Sequence, residues 1–419
     1  MEKSGKFRLT SLERNWILYD VGNSAFVLMV ATLIPIFFNA LAAAGGLSSV
    51  EYLAYWGYAS SAVTVITAVL SPILGTVADT KGFKKPIFIL CVFVGIVGCC
   101  AMGAVSAWLP FLVIFVIAKV GFSGSLVFYD SMLSDVTTPE RMDEVSSRGY
   151  AWGYIGSCVP FVVCLGLVLG AGSIGISQMT ALNLALLLTA AWWLLTTLPL
   201  LKSYKQLYYV EVEKHAVRQS FARIGHTLRH LPEDKQVFWF LLAFFCYIDG
   251  VYTIIDMATA YGTALGLDTT GLLLALLVTQ IVAFPSALVF GRLSNKYPSA
   301  KLIPVCIAAY AGIAVFAFFL TRQWQFWVLA VIVGMFQGGV QALSRSHFAK
   351  IIPPEKSGEY FGLFDICGKG ASFLGTMIVS VGSQLTGSAN VGIGMLALLF
   401  AVGFVLFRVS CRTEGAKQV

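Results

Sequence analysis

Twelve stretches of this chain are each apolar over about the length that crosses a bilayer, and eight ionisable side chains lie deep inside them. A helix spanning the hydrocarbon core needs about 20 mostly apolar residues. Such runs occupy residues 15–42, 53–78, 86–106, 110–136, 146–171, 177–200, 236–265, 270–293, 301–320, 325–350, 357–384 and 389–408. Inside a bilayer every backbone polar group must be bonded, which leaves helices and closed barrels, and runs that are continuous rather than alternating select helices. With 58% hydrophobic and 12% charged residues, the chain could not cover a soluble surface. The expectation is an all-α, multi-pass membrane protein with twelve transmembrane helices.

The buried charges are unevenly placed. Span 1 carries Asp20, span 4 Lys119 and Asp130, span 7 Asp249 and Asp256, and span 10 Arg345; the other span with charges deep inside is span 11, with Asp365 and Lys369. An ionised group facing lipid at mid-membrane costs about 2.5–3.5 kcal/mol even on insertion scales. These groups must therefore share a protein or water-lined interior. One lining helix in every three, spans 1, 4, 7 and 10, is the arrangement of a transport pathway.

The excess of basic residues speaks to topology rather than to nucleic acid. Lys81, Lys84 and Lys85 join spans 2 and 3, Arg141 and Arg148 flank the turn from 4 to 5, and Arg292, Lys296 and Lys301 join 8 and 9. Lys350 and Lys356 bracket the turn from 10 to 11, whereas the loops on the other side hold Arg322, Glu51 and Asp268. The positive-inside rule then puts both termini and the central loop in the cytoplasm, with the plasma membrane as the expected location. The first apolar run starts late and is span-length, unlike a cleavable signal. The cysteines fall almost wholly within spans without a C-x-x-C, as packing residues rather than disulfides or metal ligands.

The only long hydrophilic stretch, 201–235, divides the chain into six spans at 1–200 and six at 236–419. Within it Val217, Phe221, Ile224, Leu228 and Leu231 fall on one helical face, so an amphipathic helix at the membrane surface is expected, in contact with lipid headgroups. His226 and His230 nearby lack a carboxylate co-ligand, and no metal is expected. The halves also echo each other. A gapless shift of 215 lays Asp130-Ser131 on Arg345-Ser346, Pro139-Glu140-Arg141 on Pro354-Glu355-Lys356, Glu144 on Glu359 and Gly153 on Gly368. A shift of 216 lays Gly75 and Asp79 on Gly291 and Asn295, and Tyr19-Asp20 has a looser echo in Tyr247-Ile248-Asp249. Two equivalent six-helix halves form a pseudo-symmetric pair of bundles, with a site at their interface near the midplane.

Gly75-x-x-x-Asp79-x-x-Gly82-x-Lys84-Lys85 supplies glycines for a tight turn, an acid able to accept from amides at a helix N-terminus, and lysines to anchor at the membrane face. This resembles the signature loop of the major facilitator superfamily, where the acid helps latch the two halves. Its natural partner here is the start of span 11, Pro354-Glu355-Lys356-Ser357; the second-half version, Gly291-Arg292-x-x-Asn295, lacks the acid and is expected to latch less strongly. Trp16-Ile17-Leu18-Tyr19-Asp20-Val21-Gly22-Asn23-Ser24-Ala25-Phe26, Gln341-Ala342-Leu343-Ser344-Arg345-Ser346 and Phe361-Gly362-Leu363-Phe364-Asp365 with Gly368-Lys369 narrow the resemblance. They are similar to the "unknown major facilitator" branch, which includes the fungal autophagy-related vacuolar effluxer, although Val21-Gly22 stands where that branch usually has tryptophan and alanine. For fungal members the resemblance implies export of amino acids.

Gln337, Gln341 and Arg345 form a polar stripe at i, i+4, i+8. Arg345 can grip a carboxylate or pair with an acid as an inner gate, and Asp130 is its counterpart under the internal shift. Lys119 and Asp130 stand about 16 Å apart along span 4, so Lys119 is expected to pair with Asp249 or Asp256 instead. An acid alternately paired and unpaired could carry a proton, Asp249 being the preferred carrier. Asp365 and Lys369 at i, i+4 can neutralise each other. No phosphate-binding loop and no nucleophile–base set occurs, so neither enzymatic chemistry nor a bound cofactor is expected. The expectation is a monomeric secondary transporter of a small polar solute, amino acids being the candidate class, with efflux as its direction. Asp20, Asn23, Lys119, Asp249, Asp256, Gln337, Gln341 and Arg345 would contact solute; Gly75, Asp79, Gly82, Lys84, Lys85, Asp130, Asp365 and Lys369 would serve gating. A drug-like substrate, or a non-transporting receptor or assembly factor on the same scaffold, is the alternative; the intact Gly75–Lys85 loop and the retained buried charges weigh against the latter.

Overall fold

The computed structural model describes residues 7–211, 225–227, 229–264 and 266–415, with the backbone alone given at 49–50, 53, 259–260, 263–264, 269–270, 273, 369–373 and 414–415. The first half comprises α1 (Ser11–Ala31), α2 (Leu33–Ala44), α3 (Ser49–Ala78), α4 (Lys84–Met102), α5 (Trp108–Ser131), the single turn α6 (Leu133–Val136), α7 (Met142–Leu169) and α8 (Gln178–Ser203). The second comprises α9 (Lys235–Ala264), α10 (Thr269–Leu293), α11 (Ser299–Phe318), α12 (Gln323–Ile351), α13 (Ser357–Thr386), α14 (Ala389–Gly394) and α15 (Leu396–Gly415). Among the described residues eleven segments, with α1–α2 as one and α14–α15 within another, are long and apolar enough to cross a membrane. The 30-residue α13 is the remaining expected span.

Local chemistry sets the ends. Thr10 and Glu13 form a reciprocal capping box at the start of α1, as do Ser48 and Glu51 at α3; Ser177 caps α8 and Asp268 caps α10. Span 1 is longer than its expected 15–42 and breaks at Thr32 (φ −131°, ψ −74°). Pro35 explains the break, because it has no N–H for the Ala31 carbonyl and its ring crowds that oxygen. Gly82 turns the α3–α4 loop at φ +81°, a conformation that L side chains rarely adopt.

The two halves pack by one plan. Spans 1·5, 1·6, 2·4, 3·4 and 3·6 meet in the first half as α1·α7, α1·α8, α3·α5, α4·α5 and α4·α8. Their counterparts 7·11, 7·12, 8·10, 9·10 and 9·12 meet in the second as α9·α13, α9·α15, α10·α12, α11·α12 and α11·α15. A side-chain bond repeats as well: Tyr19 on span 1 donates to Ser125 on span 4 at 2.7 Å, and Tyr247 on span 7 meets Ser344 on span 10 at 2.6 Å. Across the interface α3 packs on α13 and α7 on α10, the exchange expected of a pseudo-two-fold pair.

The start of α1, the end of α15 and the α3–α4, α5–α7, α10–α11 and α12–α13 turns lie at one end of the molecule, called the basic end below. After α8, residues 204–211 run extended along the α3–α4 loop. Val210 N–H donates to Asp79 O at 2.8 Å, and the Gln206 side chain accepts from Gly82 N–H at 2.9 Å and donates to Ala78 O at 3.1 Å. Of the expected amphipathic face, Val217, Phe221, Ile224 and Leu228 lie outside the described residues.

Candidate functional site

The central junction is built on Arg345. Span 10 carries it from the second half into the first, where its Nη1 donates to Asp130 Oδ1 at 2.9 Å and stands 3.6 Å from Asp20 Oδ2. Nε donates to Ser146 Oγ at 2.9 Å and Nη2 to the Ser146 carbonyl at 3.1 Å. Three rings close around the guanidinium, its carbon lying 4.7 Å from the Trp16 centroid, 4.3 Å from Tyr150 and 5.4 Å from Tyr129. Asp20, Asp130, Trp16, Tyr129, Ser146 and Tyr150 all belong to the first half. The charge is thus buried (2% exposed) yet paired, bonded and stacked, the conditions under which burial is tolerable. Gly149 makes the room: a Cβ there would sit 3.0 Å from Asp20 Oδ2, 3.1 Å from Arg345 Nη2 and 3.1 Å from Trp16.

Two latches flank this junction at the basic end. In the first, Asp79 at the end of α3 accepts from Gly358 N–H at 2.7 Å and Glu359 N–H at 2.8 Å, at the positive start of α13. Closeness requires glycine on both sides, since a Cβ on Gly358 would lie 2.6 Å from the Gly75 carbonyl and one on Gly362 2.6 Å from Pro72 Cα. Burial pushes the Asp79 carboxyl up to about 7, against the pull of Lys84 and the two amides and with the Glu359 carboxylate adding to the push. In the second latch, Asn295 donates to Glu144 Oε2 at 2.7 Å, Glu144 also holding Arg148. Asp143 beside it accepts from Ser346 at 2.6 Å and pairs with Lys350 at 2.6 Å. The lost acid at position 295 is thus replaced by a donor facing an acid on the other half.

Several site expectations change in detail. Lys84 does not anchor at the membrane face; it is wholly buried, 3.4 Å from Asp135, 3.9 Å from Asp79 and 2.9 Å from Ser357 Oγ. Two carboxylates and a cross-half hydroxyl outbid headgroups for it. Lys85 is half-buried and reaches the Tyr204 carbonyl at 3.4 Å. Asp249 is fully buried against α13, accepting from Gly375 N–H at 2.9 Å and Thr253 at 3.4 Å, so it is not the partner of Lys119. That role falls to Asp256, which feels Lys119 across the interface; Lys119 is half-buried and Asp256 exposed, and the Lys119 ammonium also lies 4.7 Å from the Phe122 centroid. Asn23 is buried and donates to Tyr19 O and Asp20. Gln337 is buried and Gln341 half-buried on the Arg345 stripe. Asp365 accepts from Ser71 of the first half at 2.8 Å, and the Lys369 side chain lies outside the described residues.

Sequence reasoning missed Asp135, which is held by the Tyr204 hydroxyl at 2.6 Å, the Leu207 and Tyr208 amides at 2.9 and 3.0 Å, and Lys84. It also missed Ser146, Gly149 and the three rings. Their one signal was proximity in sequence to Asp20, Asp130 and Arg148.

Comparison with known proteins gives one answer. The family model described as "Vacuole effluxer Atg22 like" matches residues 11–140 and 134–419. The MFS-type transporter YxiO of Bacillus subtilis (strain 168) is 41% identical over 404 residues, 95% of this chain and 94% of that one. Autophagy-related protein 22 of Coccidioides immitis (strain RS) is 26% identical over 64% of this chain and 51% of its own, so the chain spans about half the length of that fungal relative. Among solved structures, the human organic anion transporter MFSD10 (TETRAN) superposes with a TM-score of 0.71 at 15% identity, covering 94% of this chain and 99% of that one. The major facilitator FucP in the outward conformation gives 0.71 at 17% identity, covering 96% and 97%.

Proposed function

The chain belongs to the Atg22-like vacuole effluxer family of major facilitator transporters, and we propose that it exports a small zwitterionic solute of amino-acid type by alternating access. The observation that carries this is Arg345: a buried charge of one half seated among carboxylates and rings of the other is a gate that closes when the halves meet and opens when they part. Cross-half bonds of the junction and both latches cluster at the basic end, so this conformation is closed there. The positive-inside rule supports a cytoplasmic basic end with both termini inside, and the plasma membrane is the location in this reading.

With Arg345 occupied by Asp130 and Ser146, the charges left to hold a solute before its release at the opposite end are Lys119 and Asp256. They face each other from spans 4 and 7 of different halves. A zwitterion can meet both at once, its carboxylate on Lys119 and its ammonium on Asp256, in place of the attraction of each for the other, which a neutral solute cannot replace. Gln341 adds an amide on the same interface, and Asn23 steadies Asp20. Asp249, with one carboxylate oxygen unbonded against α13, serves proton coupling in this reading. Export as the direction is supported by the family's description as an effluxer.

The test is flux of radiolabelled amino acids in proteoliposomes, with and without a pH gradient. Saturable movement of at least one zwitterion, lost in Lys119→Gln and Asp256→Asn, is expected. Failure of every solute in a broad panel to move overturns the reading, and unchanged proton-dependent flux in Asp249→Asn removes that residue's role.

A further inference from the structure

Among the described residues, the groups that bond to or stack on the Arg345 guanidinium all come from the first half. Trp16 and Tyr129 are fixed to each other independently of it, by a stacked pair with centroids 4.4 Å apart and by the Trp16 indole N–H donating to the Tyr129 carbonyl at 3.0 Å. Tyr19 braces the same corner through Ser125. Rigid-body parting of the halves therefore withdraws the cation on span 10 and leaves its cage standing.

We infer that this vacated cage (Trp16, Tyr129 and Tyr150 around Asp20, Asp130 and the Ser146 carbonyl) is a binding site for the ammonium or guanidinium group of the transported solute, reached when the halves part at the basic end. The inference rests on the alternating-access reading above. Three ring faces and two carboxyl groups are the chemistry that recognises an organic cation, and each ring face contributes favourably once desolvated. An unspent valence points the same way. Asp20 is more than nine-tenths buried and its Oδ2 lies against the cage, where it has the Tyr129 hydroxyl and a long ion pair to Arg345 but no hydrogen bond of ordinary length. Arg345, tethered to α12, reaches Asp130 at 2.9 Å but stops 3.6 Å short of Asp20 Oδ2. A free ammonium is not so constrained and can donate to both acids. The missing Cβ of Gly149 gives it the space.

Arg345 is then a built-in competitor. Solute and gate use one cage in turn, so the cage cannot hold both a cationic solute and a closed basic end.

The test measures binding, not flux, on the full chain in nanodiscs with methylguanidinium and ethylammonium as probes and the neutral N-methylurea as control. Arg345→Ala is expected to bind both cations saturably and the urea not at all. Adding Tyr150→Leu or Asp130→Asn should weaken cation binding roughly tenfold. In protein keeping Arg345, the cations should compete with it and lengthen the distance between spin labels at Glu140→Cys and Lys296→Cys, one in a basic-end turn of each half. Absence of saturable cation binding, or binding untouched by both cage substitutions, overturns the inference. Should Arg345→Ala not fold, the label distance decides alone: unchanged distance with cation overturns, lengthening supports. Solute flux that persists while cation binding fails would sink the cage and spare the transport reading; cation binding without flux of any solute would do the reverse.

Discussion

Replacing Gly75 by alanine should force the basic end open. The Cβ would lie 2.7 Å from the Gly358 carbonyl carbon and 3.2 Å from Glu359 N, where ordinary contact begins at 3.4 Å. Both are backbone atoms and cannot rotate away, so α3 and α13 must separate there by at least 0.7 Å, the difference between 3.4 and 2.7 Å. Carried to the next turn, that separation stretches the Asp79 bonds from 2.7 and 2.8 Å to about 3.4–3.5 Å, past the usual limit near 3.2 Å. A hydrogen bond to a charged group contributes about 1.5–3 kcal/mol, so losing two removes about 3–6 kcal/mol from the closed state. Since about 1.4 kcal/mol is tenfold, the closed-to-open ratio should fall at least a hundredfold. Spin labels at Lys81→Cys and Glu355→Cys, one on each side of this latch, report it as a second, longer distance in the Gly75→Ala protein. A distribution superimposable on that of the protein with Gly75 would refute the claim that bare glycine backbones set this approach.

Asp79 also makes the latch sensitive to pH. Its carboxyl is held up to about 7 when buried in the latch and relaxes toward the ordinary 3.8 when the halves part. A raised value means the closed state holds the proton more tightly, so closure gains as pH falls from about 7 toward about 4, by up to tenfold per pH unit, and is flat above 7; Asp79→Asn should abolish the slope in the same label-distance experiment. Arg345→Lys keeps the charge but loses the planar fork that meets Asp130 and both Ser146 oxygens, and should lower the closed fraction about tenfold to a hundredfold. Exchanging charges as Lys119→Asp with Asp256→Lys should recover part of the solute affinity lost in either single change, read as KM in proteoliposomes; no recovery would mean that the two do not act on solute together.

Much of this was legible in the sequence because polar residues are scarce in it. Gly75, Asp79 and the start of span 11 announce a latch through their resemblance to the major facilitator signature loop, and the twelve spans follow from apolar run length. The internal shift that lays Asp130 on Arg345 turned out to pair residues that touch, since the pseudo-axis passes close to both. What the sequence could not supply was which of several like groups wins a partner. Asp249 and Asp256 are equally acidic and two turns apart, yet one faces α13 and the other Lys119, a choice made by helix rotation. Lys84 reads as a surface anchor until Asp135, a residue without any motif, is seen beneath it. The cage rings read as ordinary packing aromatics, because stacking on a cation leaves no periodic signature.

Alternating closure is best tested by two distances in one protein. Labels at Glu140→Cys and Lys296→Cys span the basic end, and labels at Ser173→Cys and Arg322→Cys span the opposite end. In membranes the basic-end distance should be short when the other is long, and a transported solute should shift both populations in opposite directions. Two distances that stay fixed, or that move together, would contradict the account.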